Sequence, residues 1–226
     1  MQLFLIRHAE SANNARPPYE RVEDPAITAV GRMQAQHLAD WTRTLKIDTL
    51  ITSPFLRTIE TTLQVVQGTR QQVNIWHDVF ERGGCYRGHK VGEIHGAMGL
   101  GRSAIQRHFQ ENAIDCLIDD TIEEKGWWGG RPQETEEEVA MRAQQVTQRL
   151  IDAFGTSQRN IVVVIHADFK RWLLRVMMGG AVDTDSFGPL RNTGISKLNF
   201  DGSRWQLDWL NSVSHLPARL ITGNEH

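Results

Sequence analysis

The 226-residue sequence predicts an α/β fold, a three-layer sandwich in which a mostly parallel sheet lies between helices. Two observations carry this. Strand-like and helix-like stretches alternate along the chain, the pattern of layered α/β architecture. Two runs, Leu3-Phe4-Leu5-Ile6 and Ile161-Val162-Val163-Val164-Ile165, are continuously apolar, as strands buried on both faces are. The first run ends in Arg7-His8 and the second in His166. A buried strand has no structural reason to finish in nitrogen-rich side chains. The carboxyl edge of an open α/β sheet is where ligand crevices form, and an imidazole beside a guanidinium suits an anion.

The remaining elements follow in order. A polar loop from Glu10 to Pro25, with Pro17-Pro18 inside it, leads to Thr28, which caps a helix reaching to Leu45. Leu38, Trp41, Thr42 and Leu45 share one helical face and predict core. Asp48 to Thr52 reads as a strand, and Ser53-Pro54 ends it before a helix from Leu56 to about Gln67. Val73 to Val79 reads as a weak strand running into Phe80-Glu81-Arg82-Gly83-Gly84. From Gly83 to Gly130 glycines are frequent and periodic elements few, apart from a helix near Ser103 to Phe109. Such a segment predicts a lid or substrate wall inserted into a single domain spanning residues 1–226. Thr135 and Glu138 form a capping box that opens a long helix carrying Val139, Arg142, Val146, Leu150 and Phe154. After the strand at 161–165, a stripe of Phe169, Trp172, Leu173, Val176 and Met177 predicts a core-facing helix. Gly194 to Phe200 and Trp205 to Trp209, joined by Asp201-Gly202, read as a hairpin.

Charge and composition narrow the function. The formal net charge is −2, so no global basic field points to nucleic acid or an acidic membrane surface. No stretch approaches a membrane span, and the opening run is too short for a signal sequence. The two cysteines, Cys85 and Cys116, lack the spacing of a disulfide framework or a zinc site. The expectation is a cytoplasmic enzyme with a small-molecule partner, no metal and no cofactor; a homodimer is compatible with it.

Four segments converge on one sheet edge in this reading. They supply Arg7 and His8 with Ser11 and Asn13 in the following loop, Arg57 in the first turn of a helix, Glu81, and His166. Arginine forks bind the oxygens of a tetrahedral anion, and a helix N-terminus adds to the attraction. A phosphate monoester fits that convergence.

At this point the sequence resembles the histidine phosphatase (phosphoglycerate mutase-like) superfamily. The resemblance rests on Leu5-Ile6-Arg7-His8-Ala9-Glu10-Ser11 with Asn13, and on Ile27-Thr28-x-x-Gly31-x-x-Gln34-Ala35-x-x-Leu38. It continues through Thr52-Ser53-Pro54-Phe55-Leu56-Arg57-Thr58-x-x-Thr61, Ile165-His166-Ala167, Asn192-Thr193-Gly194-Ile195-Ser196 and Asn211-Ser212-x-x-His215-Leu216. These blocks cover nearly the whole chain in order, the 83–130 segment least well. The resemblance implies that His8 is the nucleophile and forms a phosphohistidine. It implies that Arg7, Arg57 and His166 hold the phosphoryl oxygens, that Glu81 is the general acid, and that Ser11, Asn13 and Ala167 contact the phosphate or its rim. Asp78, Glu93 and Glu134 compete with Glu81 for the acid's role, and Glu10 reads as structural. Ala9 and Ala167 stand where the family usually has glycine after each histidine. Residues 12–18, Ala-Asn-Asn-Ala-Arg-Pro-Pro, lack the tryptophans that the mutase branch carries in this region. That favours hydrolysis of small phosphomonoesters over phosphoglycerate mutase-type transfer; a phosphate-dependent binding module is the non-enzymatic alternative. Arg82, Arg87, His89, Lys90, Arg102 and Arg131 are candidates for a second anionic group or ordinary surface cations. Trp127 and Trp128 either pack a leaving group or anchor the inserted segment.

Overall fold

The computed structural model describes residues 1–69, 71–88, 90, 92–180 and 182–223. Its main sheet has seven strands in the order β6-β3-β2-β7-β1-β8-β9. The strands are β1 (Gln2–Arg7), β2 (Thr49–Thr52), β3 (Val73–Ile75), β6 (Cys116–Ile118), β7 (Asn160–Ile165), β8 (Ile195–Phe200) and β9 (Trp205–Ser212). β4 (Tyr86–Arg87) and β5 (His95–Gly96) form a separate small hairpin. The strands from β6 to β1 run parallel, and β8 and β9 close one edge antiparallel.

Strand β1 shows why the sequence folds this way. Phe4 and Ile6 project into a core shared with Leu38 and Ile59, on the helices α2 (Ala29–Thr42) and α3 (Leu56–Val66). Leu3 and Leu5 project into the opposite core with Val146, Phe169 and Leu173, on α5 (Glu136–Phe154) and α6 (Ala167–Met177). A strand covered on both faces must be apolar at every position, and each such side chain contributes about 1.5–3 kcal/mol on burial. The helices that follow β1 and β2 cover one face and the helix that follows β7 covers the other. The chain therefore diverges at the carboxyl ends of three adjacent strands, the position at which doubly wound sheets open a crevice.

Local signals place the helices. The Thr28 hydroxyl accepts from the Gly31 amide at 2.9 Å and starts α2. The capping box at α5 is complete: the Thr135 hydroxyl accepts from the Glu138 amide at 3.2 Å, and the Glu138 carboxylate accepts from the Thr135 amide at 2.7 Å. α2 ends at Thr42 instead of Leu45, because residues 43–45 tighten into turns. The weak strand stops at Ile75. Its continuation, His77–Val79, is a 3-10 turn, held where Asp119 accepts from the His77 amide and Arg149 bridges Asp78 and Asp119. The polar loop contains the short helix α1 (Ala12–Ala15) and a 3-10 turn at Pro18–Glu20.

The segment 83–130 divides into parts with different positions. Helix α4 (Arg102–Gln110) leads to β6, which adds an edge strand to the main sheet. Its three residues lie on the sheet edge and are only partly buried, so they carry no strand pattern of their own. Trp127 and Trp128 are buried, with Trp127 edge-on to Phe55 at 4.6 Å between ring centroids. They are core anchors, so the part of the segment that forms a wall is the β4–β5 hairpin. No helix of the described residues is long and apolar enough to cross a membrane.

Replacing Trp127 by Ala removes this anchor and is expected to cost about 3–5 kcal/mol. The same change at Trp209, 46 % exposed on β9, should cost about 0.5 kcal/mol or less. Urea unfolding of the two variants checks the difference.

Candidate active site

His8 follows β1, Ser53 to Arg57 follow β2, Glu81 follows β3 by six residues, and His166 follows β7. The sheet order sets these four strand ends side by side. The structure brings together all the residues the sequence analysis selected here. Arg7, His8, Ser11, Asn13, Arg57, Glu81 and Ala167 line one cavity of about 300 Å³. His166 lies beside it, its ring 5.3 Å from that of His8.

His8 is the best-defined group. Its Nδ1 is 2.7 Å from the Ala9 carbonyl oxygen. A carbonyl only accepts, so Nδ1 carries the proton and Nε2 keeps a lone pair. The Arg57 Nε–H donates to that lone pair at 3.2 Å. Burial, reinforced by Arg57 and Arg7, holds the His8 imidazole well below the ordinary histidine range. His8 is therefore neutral at physiological pH, with a basic nitrogen facing a guanidinium.

His166 is also neutral. Burial is the main cause, followed by the charge of Arg57 and the His8 ring. Its Nε2 is 2.8 Å from the Ser53 hydroxyl, and its Nδ1 is buried without a hydrogen-bond partner. Ser53 therefore follows the β2 strand end to reach the second imidazole.

The two arginines are held by different devices. Arg7 is on the strand itself, and its Nη1 donates to the Leu190 carbonyl. The C-terminal segment packs directly on it: a Cβ at Gly223 (φ +91°) would lie 2.6 Å from Arg7 Nη1. Arg57 sits in the first turn of α3 with its guanidinium 3.9 Å over the Phe55 ring. Asp24 accepts from the Leu56 amide at 2.8 Å and so caps the same helix. Burial pushes the Asp24 carboxyl up to about 7 against the opposing pull of Arg57.

Glu81 faces the same cavity. Its Oε1 accepts from the Phe169 amide at 3.0 Å and from the Arg82 amide at 2.9 Å. Burial first, and then Asp168, push its carboxyl up to about 7. The competing acids are elsewhere. Glu134 pairs with Arg142 at 2.7 Å, Asp78 with Arg149, and Glu93 with Lys90 on the hairpin. Glu10 accepts from the Thr28 hydroxyl at 2.6 Å and joins two loops.

Ser11 and Asn13 reach the cavity wall but also have local partners. Ser11 donates to the Asn14 side chain, and Asn13 clamps Val22 through both its amide atoms. The C-terminal blocks meet behind His8. Asn192 Nδ2 and the Thr193 amide both donate to the His8 carbonyl, at 3.1 and 3.3 Å, and His215 Nε2 contacts the Thr193 hydroxyl at 3.1 Å. Thr193 and Asn211 take left-handed backbone, with φ 53° at each, which folds this turn against β1.

Of the outlying cations, Arg82 and Arg87 line the cavity. Arg102 donates to the Ile118 and Asp119 carbonyls, and Arg131 stacks on Trp128. Lys90 pairs with Glu93, and His89 lies outside the described residues. Asp24, Arg21, Glu23, Tyr86 and Asp168 were not selected from sequence, and the last four line the cavity. Asp168, two residues past His166, was findable from its position. The others depend on how the loop and hairpin fold over the site.

The sequence model of the histidine phosphatase superfamily (branch 1) matches residues 3–213. A curated protein of Klebsiella pneumoniae (strain 342) named "Probable phosphoglycerate mutase GpmB" is 26 % identical over 235 residues, 96 % of each chain. Among solved structures, the alpha-ribazole phosphatase from Shigella flexneri superposes with a TM-score of 0.64 at 21 % identity, covering 94 % of this chain and 96 % of that one. A phosphoserine phosphatase from Entamoeba histolytica, solved with 3-phosphoglyceric acid, also gives 0.64 at 21 % identity, over 96 % and 99 %. These structures share the fold.

Asp24 yields a signed prediction. A carboxyl raised in the folded state stabilises the protein below its unfolded value and loses that contribution as pH rises through about 7. Measured by urea unfolding, the stability of the native chain relative to Asp24→Asn should fall by about 2 kcal/mol between pH 5.5 and 8.5. A flat difference would show that the carboxylate is ionised in the fold.

Proposed function

The chain belongs to the histidine phosphatase superfamily (branch 1), and we propose that it is a cytoplasmic phosphomonoesterase that hydrolyses small phosphorylated metabolites through a phosphohistidine on His8. The reading takes residues 1–226 as one domain. The observation that carries it is the state of His8: neutral, its tautomer fixed by the Ala9 carbonyl, its basic nitrogen turned to the buried Arg57 guanidinium at a cavity.

In the first step, Arg57 turns its Nε–H from His8 to the phosphate, and His8 Nε2 attacks phosphorus in line. The N–P bond forms as the P–O bond to the leaving group breaks. Arg7 and Arg57 bind the equatorial oxygens, whose charge needs fixed donors at the transition state. His166 joins them through Nδ1–H, the tautomer in which Ser53 donates to Nε2. Glu81 gives its proton to the leaving oxygen. In the second step, water attacks the phosphohistidine, its proton passes to Glu81, and the N–P bond breaks to release phosphate and neutral His8. Ser11, Asn13 and Ala167 form the rim. The arginines supply positive charge within the chain itself, so the sequence of steps calls for no added cofactor.

Hydrolysis of p-nitrophenyl phosphate by the native chain and by His8→Ala tests the nucleophile. Activity lost on substitution, with a radiolabelled phosphoryl adduct that is acid-labile and base-stable, is the expected result; equal rates overturn the assignment. A coupled assay on 3-phosphoglycerate separates the alternatives, because transfer to a second hydroxyl in place of release to water identifies a mutase.

Glu81 is tested by leaving group. Glu81→Gln should lower kcat/KM on an alkyl phosphate about 10²-fold or more but spare p-nitrophenyl phosphate, whose leaving oxygen needs no proton. Native kcat/KM on the alkyl phosphate should fall as pH rises through about 7, where the acid form is lost. This limb should be shallower in the variant, which keeps only the part that Asp24 contributes through Arg57.

A further inference from the structure

Arg142 and Glu134 form a buried ion pair that the steps above do not use. Their side chains are 8 % and 5 % exposed. Two bonds join them, Arg142 Nε to Glu134 Oε1 and Nη2 to Oε2, each 2.7 Å long. Such a pair adds little stability over apolar side chains of the same volume, because desolvation offsets the attraction. Its contacts with the chain around Glu81 give it a different use.

The third nitrogen of the guanidinium grips the segment that leads into Glu81. Arg142 Nη1 donates to the Asp78 carbonyl at 2.8 Å and to the Phe80 carbonyl at 3.0 Å. Glu134 holds the segment that leaves it. Its Oε2 accepts from the Gly83 amide, and its own amide donates to the Gly83 carbonyl, both at 3.4 Å. Between these anchors the turn is closed by the Gly84 amide, which donates to the Glu81 carbonyl at 2.9 Å. The guanidinium also lies against two rings, 3.6 Å over Phe80 and 3.8 Å over Phe169. Phe169 is the residue whose amide donates to Glu81 Oε1. One side chain on α5 therefore touches the residue before Glu81, the partner of the turn after it, and the ring next to the donor that binds its carboxyl.

We propose that the Arg142–Glu134 pair is a positioning clamp for the general acid, fixing the backbone on both sides of Glu81 and the Phe169 donor at once. The proposal rests on the reading of Glu81 as the acid given above. Residues 80–84 belong to no helix or strand, so no ladder of backbone bonds holds the carboxyl over the cavity. A general acid must stand within hydrogen-bond reach of the leaving oxygen, and a misplacement of about 1 Å can cost about 10²-fold in rate. The clamp transfers the rigidity of α5, whose capping box begins at the residue after Glu134, to a loop that has none of its own.

Two variants and one measurement on the native chain test it. Arg142→Lys keeps the charge but loses the fork that serves two carbonyls and a carboxylate together. The double variant Arg142→Met with Glu134→Met removes both charges, so neither is left buried without its partner. Each should lower kcat/KM on an alkyl phosphate about tenfold or more relative to p-nitrophenyl phosphate. Added to Glu81→Gln, Arg142→Lys should lower that ratio no further. In the native chain, hydrogen exchange at the Gly83 and Phe169 amides should be as slow as within α5. Free exchange at both, or variants that slow the two substrates alike or neither, with Glu81→Gln still selective for the alkyl phosphate, overturns the clamp and leaves Glu81 as the acid. Equal loss on both substrates in Glu81→Gln itself overturns both.

Discussion

The bond between His8 Nδ1 and the Ala9 carbonyl, 2.7 Å long, is the constraint on which the site depends. It decides which imidazole nitrogen is basic, and the decision is local, made between neighbouring residues at the end of one strand. Everything around it conforms. Arg57 can approach Nε2 only because that nitrogen accepts, and His166 can stand edge-on to the ring because neither imidazole is charged. A protonated His8 would bring a third cation up to Arg7 and Arg57 without desolvated counter-charge. The fold avoids that state by lowering the affinity of both imidazoles for protons, and the same choice leaves a nucleophile in place.

The departure from glycine after each histidine has a structural explanation. Neither Ala9 nor Ala167 is among the residues with left-handed backbone, so a side chain at either position carries no conformational strain. The Ala9 methyl is buried, and its amide donates to the Thr61 hydroxyl at 3.0 Å, with Thr61 in turn bonded to the Arg57 carbonyl. That link ties the β1 loop to α3 and so fixes the spacing of His8 and Arg57. The Ala167 methyl is different, since the residue lines the cavity; its effect falls on the shape of the phosphate rim.

How much of this was legible in sequence follows from range. Buried parallel strands declare themselves by continuous apolar runs, and β1 and β7 were read with their terminal histidines in place. The Thr28 cap and the Thr135 and Glu138 box are interactions over three residues, so they too were readable. β6 was not, because three residues on an edge carry no periodic signal and their pairing to β3 joins positions 43 residues apart, Val73 with Cys116. The role of Trp127 was left open for the same reason, since its partners Phe55 and Phe80 come from other elements. Asp24 is the instructive miss. It precedes Pro25 in a polar loop and looks like solvated punctuation, yet it caps α3 through a contact with Leu56 that no local pattern announces.

Asp24 and Glu81 together show how the site keeps its arginine available. Both carboxyls act on Arg57, and burial pushes both up to about 7. Two fully ionised carboxylates would neutralise the guanidinium and repel an incoming phosphate. Two groups that release or bind protons near neutrality do neither: each can yield its charge when a stronger anion arrives, and Glu81 then holds the proton that the leaving oxygen requires. The cationic character of the cavity is therefore conditional. It is screened by half-titrated acids in the empty protein and expressed when the phosphate enters, so Arg57 lies buried between Asp24 and Glu81 without either acid holding a permanent charge against it.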